Sequence, residues 1–165
     1  MIRAVIFDLD GTLIQLPIDY QKMYATFSKI MEKEQIRPLL ETVAKLDKKT
    51  RKQIFKAWDS AELEVSEKIT LNKEGIDLYY EYADKPKALV TMQGKALVKV
   101  VIDRYRLCFN FVVTRENSLN RAEQLTIAAE KLGTPLDAVL FFGNTERDAV
   151  AAEKVGCQFR KITPT

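Results

Sequence analysis

IRAVIFDLDGTL, residues 2–13, joins a short apolar run to an acidic turn. The run from Ile2 to Phe7 is rich in β-branched residues and is typical of a buried strand in a parallel sheet. In an open parallel sheet, ligands bind outside the carboxyl ends of the strands, and Asp8 and Asp10 follow directly at that end. The stretch therefore predicts both an α/β fold and the position of its active site.

Four later runs have a similar apolar composition and are separated by segments with helical periodicity. We expect these further strands at residues 87–91, 109–114, 138–143 and, more weakly, 157–162. Helices are expected between them at residues 94–106 and 120–132, where apolar residues recur on one face. Strands that alternate with helices of this length predict a Rossmann-like, doubly wound parallel sheet of about five strands.

Residues 15–72 interrupt this alternation, because they contain no convincing strand. Apolar residues recur there at helical spacing in three segments, at about residues 20–31, 39–46 and 54–69. A fourth helix, at about 74–83, leads back to the second strand. We therefore expect an α/β core domain made of residues 1–14 and 73–165, with a small all-helical cap, residues 15–72, inserted after the first strand.

Composition limits the possible functions. The net charge is only +3, with 26 Lys and Arg residues interleaved with 23 Asp and Glu residues, and this pattern does not favour binding to nucleic acid. The apolar run before Asp8 is too short for a signal peptide or a membrane span, so we expect a cytoplasmic protein that does not associate with membranes.

The chain contains no histidine. This excludes Ser-His-Asp and Cys-His nucleophile systems, zinc sites with His ligands, and His as a general base. Catalysis would have to use carboxylates, Lys, Tyr, hydroxyl groups, backbone amides and a hard metal ion. The acidic turn is therefore the strongest candidate for a catalytic site.

Asp8 and Asp10 are separated by one residue, so their side chains would point to opposite sides unless the turn bends them together. Gly11 supplies a backbone that permits such a bend. One carboxylate could then attack a phosphorus atom while the other donates a proton to the leaving oxygen. Because two like charges at this distance repel each other, a divalent cation is expected between them. The alternative is an acidic turn that only caps a helix or faces solvent.

Some side chains have a plain structural interpretation. Cys108 and Cys157 are expected to be buried free thiols. Tyr20, Tyr24 and Trp58 are expected to pack the helices of the insert against one another, and the alternative is that Tyr20 and Tyr24 line a substrate site.

With these motifs the chain resembles the haloacid dehalogenase-like hydrolase superfamily. IFDLDGTL, residues 6–13, resembles its first motif, and Thr91 ends the second apolar run where the family has a Ser or Thr. GNTERD, residues 143–148, resembles its acidic GDxxxD motif. A helical insert after the first strand is similar to the cap of the subgroup that contains phosphoglycolate phosphatase, β-phosphoglucomutase and the dehalogenases.

The resemblance implies roles for individual residues. Asp8 would be the nucleophile that forms an aspartyl-phosphate, and Asp10 the general acid and then the base. The implied catalytic residues are Asp8, Asp10, Thr91 and Arg121; the implied phosphate-binding residues are Gly11, Thr12, Thr91 and Met92. Mg²⁺ is the implied cofactor, and its implied ligands are Asp8, the Asp10 carbonyl, Asn144 and Asp148.

Two positions depart from the family pattern. Asn144 stands where the family has an acidic metal ligand, and an amide oxygen binds Mg²⁺ less tightly than a carboxylate does. The family's Lys before the helix at 120–132 is missing, since alignment on Glu123 places Leu119 there. Arg121 is the nearest cation and Arg115 the next, and either could take its place or be a solvated surface residue.

The sequence therefore predicts a Mg²⁺-dependent phosphomonoester hydrolase that acts on a small phosphorylated metabolite, as a monomer or weak homodimer. One alternative is a protein of this fold that binds phosphate compounds or a partner with little turnover. Dehalogenation of 2-haloacids is less favoured, because a departing halide needs no proton from Asp10. A phosphomutase would use the same acid–base residue and stays open.

Overall fold

The computed structural model describes residues 1–164. Its centre is a five-stranded parallel sheet. The strands of this sheet are β1 (Ala4–Phe7), β4 (Lys87–Val90), β5 (Phe111–Val113), β6 (Val139–Gly143) and β7 (Gln158–Lys161). They lie in the order β5-β4-β1-β6-β7. The doubly wound parallel sheet expected from the sequence is confirmed, and β1 lies at its centre.

Two apolar clusters cover the two faces of the sheet. Side chains alternate along a strand, so Val5 and Phe7 of β1 face one cluster while Ala4 and Ile6 face the other. The first face packs against α4 (Lys73–Glu81) and α5 (Lys95–Tyr105), and the second against α6 (Arg121–Lys131) and α7 (Glu146–Val155). Burial on both faces explains why the strands are continuous apolar runs.

Three helices lie between β1 and α4 in the chain. They are α1 (Tyr20–Met31), α2 (Leu39–Ala44) and α3 (Lys48–Glu64), followed by a 3-10 helix at Ser66–Lys68. Phe27 of α1 packs edge-on against Trp58 of α3 with ring centroids 5.6 Å apart, and Trp58 is buried as expected. We call residues 20–68 the helical insert. The division of the chain into separate cap and core domains stays a prediction.

The expectation that residues 15–72 contain no strand is wrong. Two short antiparallel strands, β2 (Ile14–Gln15) and β3 (Thr70–Leu71), pair where the chain enters and leaves the helical insert. A two-residue strand is too short to produce a readable periodicity, which explains why the sequence pattern does not reveal it. The predicted third helix also ends earlier, at Glu64 rather than at residue 69.

The expected burial of the two thiols is half correct. Cys157 is buried, whereas Cys108 is exposed. Cys108 lies in the loop before β5, and its apolar neighbours in sequence face the core without covering it. Within residues 1–164, no helix is both long enough and apolar enough to cross a membrane.

Candidate active site

Asp8 lies at the carboxyl end of the central strand. Its backbone N–H donates to the carbonyl of Phe142 at 2.9 Å, which continues the β1–β6 ladder by one residue. The residue is 5% exposed, so its carboxylate lies in a largely desolvated position. Asp8 thus occupies the edge of the sheet at which the sequence placed the active site.

The turn after Asp8 is closed by its own backbone. The N–H groups of Gly11 and Thr12 donate to the carbonyls of Ile14 and Leu9, at 2.7 and 3.2 Å. These two N–H groups are therefore used inside the turn, whereas the Thr12 hydroxyl is buried without a hydrogen-bond partner in the part of the chain that the structure describes. Phosphate binding by Gly11 and Thr12 stays a prediction. Gly11 has φ of +81°, and a Cβ there would overlap the side chain of Asn144, so glycine is required for the turn and for the close approach.

Asp10 is held by the chain that leaves the turn. One of its carboxylate oxygens accepts the N–H of Leu16 at 2.9 Å. Burial raises the pKa of Asp10, although hydrogen bonds from Leu16 and Gly11 act in the opposite direction. A raised pKa suits a group that must carry a proton to a leaving oxygen.

Tyr20, the first residue of α1, brings its hydroxyl to Asp10. Burial raises the pKa of Tyr20, and the negative charge of Asp10 raises it further. The residue is 44% exposed, and its ring centroid lies 6.2 Å from that of Tyr24. The alternative that Tyr20 lines a substrate site stays a prediction. Asp19 begins α1 as its N-cap, and this fixes the position of Tyr20 at the first turn of the helix.

Arg121 joins the two acidic motifs. Its guanidinium donates to Asp8 Oδ1 at 3.0 Å and to Asp148 Oδ1 at 3.0 Å. A third hydrogen bond, at 2.7 Å, reaches Oε1 of Gln124. Of the two arginines that the sequence left open, Arg121 therefore lies against Asp8, whereas the hydrogen bonds of Arg115 lead elsewhere.

Asp148 has both carboxylate oxygens engaged. Its Oδ2 accepts the N–H groups of Asn144 and Thr145, each at 3.1 Å, as part of a capping box at the start of α7. Its Oδ1 accepts from Arg121. Gly143 makes room for this arrangement, because a Cβ there would lie 2.7 Å from Asp148 Oδ2. The observed contacts thus differ from the predicted metal contact of Asp148.

Three oxygen-bearing groups, the Asp8 carboxylate, the Asp10 carbonyl and the Asn144 amide, lie close together. One amide atom of Asn144 lies 3.1 Å from Asp8 Oδ2 and 3.2 Å from the backbone carbonyl oxygen of Asp10. With nitrogen in that place the amide donates to both oxygens; with the carbonyl oxygen there, three oxygens meet. Neighbouring ligands of an octahedral Mg²⁺ lie about 3 Å apart, since each stands about 2.1 Å from the ion.

With the Asn144 carbonyl oxygen in that place, the residues present fit Mg²⁺ by donor type, and the two distances from Asn144 suit neighbouring ligands of one ion. The set contains one carboxylate, one backbone carbonyl and one amide. Among residues 1–164, no group of three His, Cys, Asp or Glu side chains is placed to hold a metal ion. The candidate set thus carries less negative charge than a carboxylate-rich site, as the Asn at position 144 indicated.

Thr91 and Met92 follow β4, the neighbour of β1. Thr91 is fully buried, and its hydroxyl forms hydrogen bonds with the side chain and the N–H of Gln93. Gln124 donates to the Thr91 carbonyl at 2.9 Å and accepts from Arg121, which links this loop to Asp8. Nothing in the sequence marks Gln124 as part of the site, because it reads as an ordinary helical residue.

A groove of about 690 Å³ leads to this region from the surface. It lies between α2 of the helical insert and the first turns of α6 and α7. Its walls are largely apolar, with Leu40, Leu119 and Val150 among them, and it reaches Met92 and Arg121. A small molecule can therefore approach between the helical insert and the sheet.

Burial is the largest influence on the pKa of Asp8. Burial raises the pKa of Asp8 to about 7, and the nearby charges of Asp148 and Asp10 act in the same direction. The positive charge of Arg121 acts in the opposite direction. A further cation beside Asp8 would favour its ionised form.

Arg115 forms a second ionic cluster, which we call the Arg115 cluster, with Asp59 and Glu62 of α3. The Arg115 side chain is fully buried, donates to Glu62 Oε2 at 2.9 Å and also pairs with Asp59. It stacks over Trp58 at 4.5 Å from the ring centroid. The sequence held a signal for Glu62, since Ile54, Trp58 and Glu62 are four residues apart and share the buried face of α3.

The protonation of Glu62 should make folding stability depend on pH. Burial raises the pKa of Glu62 to about 7 from a usual value of 4.5, against the charge of Arg115. Since the folded-state pKa lies above the unfolded-state pKa, the stabilisation is complete below about pH 4.5 and is lost as the pH rises through about 7. The unfolding free energy of wild type should fall as the pH rises across that window. In Glu62→Gln this fall should be smaller by on the order of 2 kcal/mol, because Gln does not ionise.

Urea denaturation at both ends of the window measures this effect. Glu67→Gln is a suitable control, because the Glu67 side chain is 91% exposed. An equal pH slope for wild type and Glu62→Gln would contradict the assignment.

A model of the haloacid dehalogenase-like hydrolase family matches residues 5–162. No curated protein matches the sequence. The structure is similar to a hydrolase from Pseudomonas syringae, with a TM-score of 0.71 and 20% identity, covering 94% of this chain and 82% of that one.

Two further solved structures have similar folds. A haloacid dehalogenase-like family hydrolase from Streptococcus pneumoniae has a TM-score of 0.71 and 20% identity, covering 98% of this chain and 85% of that one. CbbY from Rhodobacter sphaeroides, solved in complex with phosphate, has a TM-score of 0.68 and 16% identity, covering 96% and 85%. At these identities the likeness establishes the fold, and the family match extends over nearly the whole chain.

Proposed function

The chain belongs to the haloacid dehalogenase-like hydrolase family, and we propose that it hydrolyses small phosphate monoesters through a covalent intermediate on Asp8. The observation that carries this proposal is the division of the Asp8 carboxylate between two environments. Oδ1 faces the guanidinium of Arg121 at 3.0 Å, and Oδ2 faces the Asn144 amide at 3.1 Å.

In the first step an Asp8 oxygen attacks the phosphorus atom of the ester. The bond between phosphorus and the ester oxygen breaks, and Asp10 gives its proton to that oxygen so that the alcohol leaves neutral. The raised pKa of Asp10 supports its presence as the protonated acid at the start of this step.

In the second step water attacks the phosphorus atom of the aspartyl-phosphate. Asp10, now ionised, removes a proton from this water, and the bond between phosphorus and Asp8 breaks. Inorganic phosphate leaves, and both carboxyl groups return to their starting states. The hydrogen bond from Leu16 N–H holds Asp10 in place through both steps.

Asp8, the carbonyl of Asp10 and Asn144 would hold Mg²⁺. When bound, the ion supplies positive charge that keeps Asp8 ionised and lowers its repulsion from the phosphate dianion. We propose that Asp148 acts by orienting Arg121, since one oxygen of Asp148 accepts from the Arg121 guanidinium. Arg121 then supplies a positive charge beside the reacting phosphoryl group and so takes the place of the missing Lys.

The helical insert would exclude water and select the substrate. The groove between the insert and the core has room for a small phosphorylated metabolite, and its apolar walls suit a leaving group with an apolar part. We propose no more specific substrate, because the charged side chains that also line the groove, of both signs, indicate no single substrate.

Purified protein should release phosphate from p-nitrophenyl phosphate or from members of a panel of small phosphate esters. We expect the reaction to require Mg²⁺ and to stop when EDTA is added, because without the ion only Arg121 offsets the repulsion between the Asp8 carboxylate and the phosphate dianion. Colorimetric phosphate release with and without EDTA measures this. Turnover that is equal in Mg²⁺ and in EDTA would contradict the role of the metal.

A second candidate function is phosphate-compound binding with little turnover. The observation that favours it is the single carboxylate in the candidate metal set. This candidate predicts that inorganic phosphate binds while no ester in the panel is hydrolysed. Halide release from 2-haloacids would instead indicate dehalogenation, and we expect none.

Asn144→Asp should tighten the apparent affinity for Mg²⁺ by about tenfold, because a carboxylate replaces a neutral oxygen ligand. The measurement is the Mg²⁺ concentration that gives half-maximal phosphate release. The control is Asn117→Asp, which changes an Asn in the loop after β5. Unchanged or weaker affinity in Asn144→Asp would mean that Asn144 does not face the ion.

A further inference from the structure

The Arg115 cluster contains a buried ion pair between the helical insert and the core. Arg115 and Glu62 are both fully buried, and they join α3 of the helical insert to the core. Buried ion pairs rarely stabilise a fold more than apolar residues of the same volume would. The pair is therefore weak evidence for stability, and its further contacts indicate another effect.

The cluster holds the loop after β4, residues 91–94, at two points. Glu62 Oε1 accepts the N–H of Gly94 at 3.0 Å. Arg115 donates to the carbonyl of Met92 at 3.2 Å. The ion pair thus accepts a hydrogen bond from the Gly94 N–H and donates one to the Met92 carbonyl, which fixes the orientation of both peptide groups.

Gly94 is adapted to this contact. A Cβ at Gly94 would overlap the carboxylate of Asp59 and lie 2.5 Å from the Arg115 guanidinium. The loop and the cluster are therefore packed without space between them, and a movement of one requires a movement of the other.

The opposite side of the same loop faces the nucleophile. The carbonyl of Thr91 accepts from Gln124, which in turn accepts from Arg121 beside Asp8. Within residues 1–164, the N–H of Met92 donates no hydrogen bond, so it is a donor that an anion could use. The loop lies between the Arg115 cluster on one side and the phosphate site on the other.

We propose that Arg115 and Glu62 are positioning residues that orient loop 91–94 for phosphate binding and couple it to the helical insert. This inference rests on the proposed function for the identity of the anion. The pair acts through the Met92 and Gly94 peptides and touches no reacting atom.

The test uses the full chain with Mg²⁺ and inorganic phosphate. The main variant is Glu62→Leu/Arg115→Met, which removes both charges together and so leaves no unpaired guanidinium in the interior; Asp59, partly exposed, can turn to solvent. Arg115→Lys is the second variant, because Lys keeps the charge but not the fork that bridges several acceptors.

The matched control is Arg104→Met. Arg104 of α5 also ties the core to the helical insert, donating to the carbonyl of Ser66 at 2.6 Å and to Glu67 at 3.2 Å. It does not touch loop 91–94. A general loosening of the insert would therefore affect this variant as well.

Two equilibrium measurements report on the loop. We expect amide hydrogen exchange at Gly94 to be at least about tenfold faster in the double variant, and phosphate affinity to fall by about tenfold, with smaller effects in Arg115→Lys. Arg104→Met should leave both quantities within about twofold of wild type. Urea denaturation verifies that each variant folds.

The outcomes separate this inference from the proposed function. The positioning role is overturned if Gly94 exchange or phosphate affinity is unchanged in both Arg115→Lys and the double variant. It is also overturned if Arg104→Met loses as much phosphate affinity as the double variant does. If wild type binds phosphate but hydrolyses no ester, the proposed function fails while the affinity measurements still decide the role of the cluster. If wild type does not bind phosphate, both fail.

Discussion

Asp8→Asn should reduce phosphate release by about four orders of magnitude or more, as the loss of a nucleophile does in other covalent enzymes. The amide has the same shape as the carboxylate but cannot attack phosphorus. Because Asp8 is buried and its pKa is raised to about 7, a neutral amide at this position should not unfold the protein. The measurement is kcat for the best ester of the panel, with urea denaturation as a check of folding.

Asp77→Asn provides the matched control. Asp77 is an exposed residue of α4 that pairs with Lys73 on the surface. The same chemical change there should leave kcat within about twofold, since surface ion pairs contribute little. If Asp8→Asn kept more than a small fraction of wild-type turnover, hydrolysis would not proceed through this residue.

Asp10→Asn should have an effect that depends on the leaving group. Steady-state turnover should fall by about 10²–10⁴-fold for alkyl and aryl esters alike, because both need Asp10 to activate water. The first step differs, since p-nitrophenolate leaves without a proton and an alkoxide does not. Rapid mixing of Asp10→Asn with p-nitrophenyl phosphate should therefore show a burst of one p-nitrophenolate per active site.

An alkyl phosphate should give no such burst with Asp10→Asn. Wild type serves as the control, because its second step is not impaired. A burst that is absent with p-nitrophenyl phosphate, or turnover that is unchanged with both esters, would contradict the assignment of Asp10 as acid and base.

Much of the fold could be predicted because it is encoded locally. The run from Ala4 to Phe7 is apolar on both faces of β1, and such a run is expected only in a strand covered on both sides. The position of Asp8 and Asp10 followed from this strand, since a parallel sheet places its sites at the carboxyl ends. The short strands β2 and β3 could not be predicted, because their pairing depends on the path of the chain around the helical insert.

The arginines show where sequence information ends. Arg115 and Arg121 are close in the chain and equally polar, so no local pattern separates them. Arg121 reaches Asp8 from the start of α6, which packs against β4, the neighbour of β1. Arg115 follows β5 and lies against α3. This distinction depends on which elements pack together. Glu62 was not predicted either, although its four-residue spacing from Trp58 on α3 is a signal that could have found it.

The two acidic motifs meet because they follow Phe7 and Gly143, which end the neighbouring strands β1 and β6. The spacing of residues could not predict that both carboxylate oxygens of Asp148 accept hydrogen bonds from the protein. A four-residue separation from Asn144 is compatible with a metal ligand and equally with a capping box at the start of α7. The structure has the capping box.

The most direct test of the central claim is to detect the covalent intermediate. Wild-type protein is mixed with Mg²⁺ and the best substrate, quenched in acid during turnover, digested and analysed by mass spectrometry. The account predicts that the peptide containing Asp8 gains the mass of one phosphoryl group, which hydroxylamine removes and which Asp8→Asn lacks. Turnover without phosphorylation of this peptide, or with the phosphoryl group on another residue, would contradict it.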